Sequence, residues 1–289
     1  MKKPSLPLSL GALLIYAFLW APLVVVFIYS FNSARYGGPW RGFTTEWYAK
    51  LFDSQDKITA AWNTLELGVV STLISTVLGT LLGLGLSRYR FPGKKAFSFL
   101  MYIPVVIPDI VMAVALLLLF ALARKYLGIF ELGMTTMILS HVTFQIPFVA
   151  IVVRSRLVGA DPAIEEAAHD LGATGLQTFF HVTLPMILPA VVAGAMLAFT
   201  LSLDDFVVSF FTTGPGATTL PILIYASVKR GITPDINALS TLIVAVTMAA
   251  TIVATLQAQN LVRPAGVIQT DQERVFLRVT GAFDSEKDL

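Results

Sequence analysis

The chain has 289 residues, of which 56% are hydrophobic and 13% charged, whereas an ordinary soluble domain carries roughly a quarter charged residues. The apolar residues gather in long charge-free runs, which excludes a soluble globule and points to an integral membrane protein. A net charge of +2 offers little to nucleic acid, the absence of cysteine removes disulfides and thiolate metal sites, and three isolated histidines have no metal-ligand spacing.

Lys2 and Lys3 precede a first apolar run, residues 6–31, which is longer than the ~7–15-residue core of a secretory signal. It reads as an uncleaved span with its basic end in the cytoplasm. The polar segment after it contains FTTEWYAKLF, where Thr45 can cap a short helix that holds Trp47, Tyr48 and Phe52 at the outer interface. A second span, 67–86, is rich in small residues, and Gly79-x-x-x-Gly83 suits close packing against another helix. Arg88, Arg90, Lys94 and Lys95 crowd the next loop and give the strongest positive-inside signal.

A third span, 97–122, is interrupted by Pro104 and Pro108 and carries Asp109; a fourth covers 134–153. An inside segment, 154–184, leads to a fifth span, 185–211, with Asp204 and Asp205 near its outer end. A Gly-Pro-Gly turn and a short apolar piece follow. The last span, 236–261, is started by Thr233 as cap, Pro234 in the first turn and Asp235 beside it. Six spans put both termini inside, with twelve of the 20 Lys and Arg on the inner side and eight on the outer. Residues 264–289 read as a poorly ordered polar tail. No internal repeat is visible, which argues against the inverted-repeat carriers.

The inside segment contains DPAIEEAAHDLGATGLQTFFHVTLP, a long, charged, helix-patterned stretch lying between two spans. Asp161 and Pro162 form a helix start, Ile164, Ala167, Ala168 and Leu171 share one face, and Gly172 supplies a left-handed stop. A second amphipathic turn runs through Leu176, Phe179, Phe180 and Val182. Glu166-Ala167-Ala168, then Gly172, then Val182-Thr183-Leu184-Pro185 resembles the EAA loop of binding-protein-dependent ABC importer permeases. That loop reads E-A-A, a glycine four residues after the second alanine, then I-x-L-P; only Val182 departs, standing for isoleucine. The segments SFNSARYGGPWRGFTTEWY, IPDIVMAVALLLLF, SHVTFQIPFV, FTLSLDDFVVSFFTTGPGATTLP and PDINALSTL are further similar to the second permease subunit of spermidine and putrescine importers.

The resemblance implies an all-α membrane protein with the type I ABC importer permease fold, six transmembrane helices, and a cytoplasmic coupling helix between the fourth and fifth. It implies a bacterial inner-membrane location and ATPase coupling through Glu166, Ala167, Ala168, Gly172, Leu184 and Pro185. The implied partners are a homologous permease, two ATPase subunits, a periplasmic polyamine-binding protein and the membrane lipid.

No G-x-x-x-x-G-K-[ST] occurs, since Gly93-Lys94-Lys95 lacks both the upstream glycine and the hydroxyl. The chain is therefore not expected to bind a cofactor, and ATP and magnesium belong on the partner ATPase. An Asp at mid-membrane costs about 2.5–3.5 kcal/mol. Asp109, Asp204 and Asp205 have no Lys or Arg within the spans to neutralise them, so they should face a watery path, where a linear polycation supplies the countercharge. In a continuous helix Asp204 and Asp205 point about 100° apart, so one is expected on substrate and the other at a helix interface near Ser202 or Ser209. Trp47 is either a cation–π partner for an ammonium or an interfacial anchor. His141, with Ser140, Thr143 and Gln145, reads as a helix–helix hydrogen-bonding patch. Glu166 is assigned to the ATPase contact, with Glu165 its exposed neighbour. The rival readings are an importer for thiamine, ferric ion or an anion, a proton-coupled carrier, and an intramembrane aspartyl protease; the protease would want G-x-G-D, and Ser202-Leu203 precedes the aspartates here.

Overall fold

Charge-free runs leave the backbone no hydrogen-bonding partner in a membrane but itself, and such runs fold as helices. The computed structural model describes residues 6–34, 38–161, 163–231, 233–259, 263–269 and 274–279. Lys2, Lys3 and Pro162 of the sequence reading lie outside these. The chain clusters into two compact units, Met1–Leu51 with Gly231–Leu289, and Phe52–Arg230. Among the described residues, five helices are long and apolar enough to cross a membrane.

In the first unit, α1 (Leu6–Tyr29) packs along α12 (Pro234–Gln259). The 26 residues of α12 reach about 39 Å at 1.5 Å per residue, enough for a hydrocarbon core of about 30 Å. Between α1 and α2 (Glu46–Asp53) the chain is braced through Asn32, which bridges to Phe43 and accepts the Trp47 indole N–H on its carbonyl at 2.8 Å. The described part of the tail, 264–269 and 274–279, departs from the expectation of a poorly ordered extension. Arg263–Gln269 (β1) and Arg274–Val279 (β2) pair antiparallel, as a β-branched, aromatic run such as RVFLRV favours.

The second unit is built on α3 (Gln55–Arg88), which packs against α6 (Met134–Val158) and α9 (Leu184–Asp204). Gly79 and Gly83 sit where α3 crosses α6. A Cβ at Gly79 would come within 2.6 Å of the Val149 Cβ, and one at Gly83 within 3.0 Å of the Ala150 carbonyl oxygen. From that crossing Val149 and Val153 join Leu157, Ile187 and Ala198 in an apolar core. At one end of α3, Asn63 donates to the carbonyls of Gly216 and Thr218 at 2.9 and 3.0 Å, and Thr64 accepts the Leu220 amide at 2.8 Å. The Gly-Pro-Gly turn is thereby clasped, and Gly214 has no alternative because a side chain there would land on the Leu132 carbonyl.

Two expected spans are broken. The third divides into α4 (Lys94–Val106) and α5 (Asp109–Leu127), because Pro108 cannot give an N–H to the carbonyl one turn before it, that of Pro104. The fifth ends as α9 at Asp204, and α10 (Val207–Thr212) begins after an extended Asp205 (φ −66°, ψ 121°). The stretch continues into α11 (Leu220–Arg230). Between α6 and α9 lie α7 (Ala163–Asp170), a short α8 (Gly175–Thr178) and a π-helical turn, Phe179–Thr183.

Candidate functional site

The break after Asp204 follows from what Asp205 does with its carboxylate. Its two oxygens accept the amides of Val208 at 3.2 Å and Ser209 at 2.7 Å, capping the first turn of α10. The same Oδ2 lies 3.3 Å from Nε2 of His141, a fully buried side chain. His141 Nε2 is also 3.0 Å from the Ser209 hydroxyl, and Nδ1 is 2.8 Å from that of Ser202. Ser202 meets Ser71 at 3.4 Å; Gln145 donates to Ser71 at 3.2 Å and to the Ala198 carbonyl at 3.1 Å, and accepts from Ser75 at 2.9 Å. Every donor in this chain finds an acceptor when the ring proton sits on Nε2 and Ser202 donates to Nδ1. One line of hydrogen bonds thus ties α3, α6, α9 and α10, its serines, His141 and Gln145 removed from water and satisfied.

Beside this line a cavity of about 330 Å³ opens, with Asp109, Asp204 and Asp205 in its wall together with Pro104, Phe144, Phe148 and Phe206. Asp109 and Asp204 are exposed, whereas Asp205 is only partly so, its oxygens already engaged. The three aspartates share one cavity, each standing at a helix break instead of inside a straight span. Asp109 is the first residue of α5, where the positive end of the helix dipole supports a carboxylate. Asp204 ends α9, where the negative end adds its own pull on a cation. The division of labour between Asp204 and Asp205 does not rest on a 100° angle, since the helix stops between them.

Ser202 does not line the cavity. It is 2% exposed and turned to His141, since two residues along a helix is about 200° around it. The aromatic faces of Phe144, Phe148 and Phe206 escaped the sequence reading. The signal available was the four-residue spacing of Phe144 and Phe148, which puts both on one face of α6. Trp47 lies in the first unit, with its N–H committed to Asn32 and the Lys50 ammonium 4.7 Å from its ring centre. Its ring already holds a cation from its own chain. Among the described residues no cluster of His, Asp or Glu has the makings of a metal site.

The inside segment has its own geometry. Gly172 takes φ +85°, and Ala173 returns its amide to the Ala168 carbonyl at 3.0 Å, a closure that a left-handed residue permits. Thr174 and Gln177 cap α8 reciprocally. The Leu184 amide reaches back five residues to Phe179, ahead of Pro185, which has no amide to offer. The two glutamates divide differently from expectation. Glu165 is not exposed: its Oε1 takes the Arg88 guanidinium at 3.1 Å and the Thr183 hydroxyl at 3.0 Å, joining the ends of α3 and α9 to α7. One step further round the helix, Glu166 and Ala167 are exposed, as are Ile164, Leu171 (90%) and Leu176 (73%). Ala168 and Leu184 are half-buried, and Gly172 and Pro185 exposed. A short helix with no buried residue and several bare apolar ones has a surface built for contact.

The model of the family described as binding-protein-dependent transport system inner membrane component matches residues 75–265. The putrescine transport system permease protein PotI of Escherichia coli K12 is 47% identical over 233 residues, which are 80% of this chain and 83% of that one. The spermidine/putrescine transport system permease protein PotC of the same strain is 44% identical over 246 residues, 85% and 91% of the two chains. Among solved structures, a chain of a bacterial ABC transporter involved in the import of the acidic polysaccharide alginate superposes with a TM-score of 0.68 at 23% identity, covering 87% of this chain and 93% of that one. A chain of the MetNI methionine ABC transporter gives 0.55 at 24%, covering 68% and 91%.

Proposed function

The chain belongs to the family of inner membrane components of binding-protein-dependent transport systems, with the type I ABC importer permease fold, and we propose that it conducts polyamines. It is a transport subunit and not an enzyme, as its relatives are. The reading of the cargo is carried by one observation: the cavity wall combines three carboxylates with three phenylalanine side chains. Putrescine and spermidine alternate ammonium groups with methylene runs. An ammonium gains from Asp109, Asp204 and the carbonyl of Pro104; the methylenes lie against Phe144, Phe148 and Phe206, whose faces add ~0.5–2 kcal/mol to each nearby cation. The names of the relatives, PotI and PotC, agree with this cargo. An anion would find the wrong sign of charge, and the same fold carries an acidic polysaccharide elsewhere, so the fold alone does not choose.

The partners follow the same reading. A second permease would complete the path, a soluble binding protein would deliver the polyamine from the periplasm, and two ATPase subunits would hold ATP and magnesium. Six spans leave both termini in the cytoplasm, with α12 as the sixth and the segment 154–184 facing the ATPases. Glu166, Ala167 and the bare Leu171 and Leu176 form the docking surface, Gly172 fixes its angle, and Leu184 and Pro185 pass the movement to α9. Trp47 serves as a brace of the outer segment.

The test is uptake into proteoliposomes holding the assembled transporter with its binding protein. ATP-dependent accumulation of putrescine or spermidine, with none of sulfate or thiamine, is the expected result; accumulation of either alternative cargo in place of polyamine would overturn the assignment.

A further inference from the structure

Where α3 ends and α4 begins, a cavity of about 690 Å³ is lined by Phe91, Gly93, Lys94, Lys95, Ser98 and Arg154. Half of those side chains are cationic, and they come from two helices, since Arg154 reaches the cavity from α6. The positive-inside bias puts lysines and arginine on the same side, and the fold then draws Arg154, from another helix, to the same hollow as Lys94 and Lys95. No carboxylate lines it. The chain has no Asp or Glu between Glu66 and Asp109, nor between Glu131 and Asp161, and the nearby Glu165 is spent on Arg88. Lys94 donates to the Tyr89 carbonyl at 2.9 Å, which leaves its charge uncancelled, and among the described residues no ion pair involves Lys94, Lys95 or Arg154. Like charges around one hollow repel unless an anion sits between them.

The surface beside the cavity says which anion. Phe91, in its wall, meets Phe97 edge to face at 6.3 Å, and from there α4 bares Phe97 (55% exposed) and, one turn on, Leu100 (56%). A hollow ringed by three cationic side chains runs directly into an apolar helix face. We infer that this cavity holds the headgroup phosphate of an anionic phospholipid, gripped by Lys94, Lys95 and Arg154 with Ser98 as a further donor, while the acyl chains lie along Phe97 and Leu100. A free phosphate would use the charges and leave the apolar face idle. The inference rests on the orientation proposed above, which the Arg88–Glu165 pair links to this loop by holding it on the side of the coupling segment, next to the anionic leaflet.

The test places the assembled transporter in nanodiscs of phosphatidylcholine doped with phosphatidylglycerol and counts retained lipid by native mass spectrometry. Wild type should keep phosphatidylglycerol through mild delipidation, and inorganic phosphate should not displace it. Lys95→Gln with Arg154→Gln should weaken retention about twenty-five-fold, at roughly fivefold for each lost cation, while Arg154→Lys restores most of it. Equal retention by the double variant, or displacement by inorganic phosphate, would overturn the lipid site. Should Arg154→Gln fail to assemble, Lys95→Gln alone, an exposed position, still predicts the fivefold loss. Polyamine uptake by wild type in the same membranes is read separately, so failure of the cargo assignment and failure of the lipid site give different results.

Discussion

His141 is the residue on which the inner geometry of the second unit turns. Its ring touches α9 through Ser202, and α10 through Ser209 and the capping carboxylate of Asp205. Because Asp205 ends one helix and starts the next, the ring holds the elbow from which Asp204 meets the cavity. Replacing His141 by Ala would leave a buried carboxylate and two buried hydroxyls short of partners, each such loss costing about 1–3 kcal/mol. His141→Ala should therefore lower the unfolding temperature of the purified complex in detergent, and His141→Gln should recover part of it. In uptake assays the folded fraction of the Gln variant should show a raised KM for polyamine; an unchanged KM with an unchanged melting temperature would remove the elbow from the account. The sequence reading placed His141 in a helix–helix hydrogen-bonding patch and expected one aspartate near Ser202 or Ser209; Asp205 accepts the Ser209 amide, while Ser202 turns to His141 and Ser71. What it lacked was the break. Helical geometry assigns directions to adjacent aspartates only while the helix continues, and nothing in Ser-Leu-Asp-Asp announces that the second Asp will cap a new one.

At the scale of the element, the segment between α6 and α9 separates two glutamates that look equivalent in one dimension. Glu165 joins three helix ends, and Glu166 faces outward. Glu165→Gln removes a half-buried ion pair and leaves Arg88 with a partly unsatisfied guanidinium, its Nε already buried without a partner. It should cost about 1–2 kcal/mol of stability, discounted for the partial exposure of the pair, and should uncouple ATP hydrolysis from uptake. Glu166→Gln should leave thermal stability unchanged and weaken co-purification of the ATPase. Co-purification lost equally in both variants would show that the two carboxylates share one role. The boundaries of this segment were legible because its signals are local: Asp161 as a start, Gly172 as a stop, and Pro185 in the first turn of the next helix. The orientation of a single face was not, because it depends on Arg88, almost eighty positions away along the chain. The broken third span shows the middle case. Pro104 and Pro108 mark an interruption in sequence, yet only the fold brings Asp109, at its edge, beside the end of α9.

For the whole molecule, membrane character, the main helices and the bounds of the segment between α6 and α9 follow from hydrophobic run length and turn chemistry, and both are properties a sequence states directly. The cargo does not follow from the fold, because a chain with a TM-score of 0.68 to this one serves a transporter for an acidic polysaccharide. The sign of charge on the path has to decide, and a path is made by residues from several helices. Asp109 on α5 and Asp204 on α9 carry the central claim, so their charge is what a measurement should remove. In proteoliposomes with binding protein and ATPase present, the double variant Asp109→Asn, Asp204→Asn should assemble normally and keep its basal ATP hydrolysis. Its kcat/KM for putrescine uptake should fall at least tenfold, given about 1.5–3 kcal/mol for each charged hydrogen bond lost, with the loss growing for spermidine, which carries one more positive charge. Wild-type uptake of both polyamines by the assembled double variant would contradict the account.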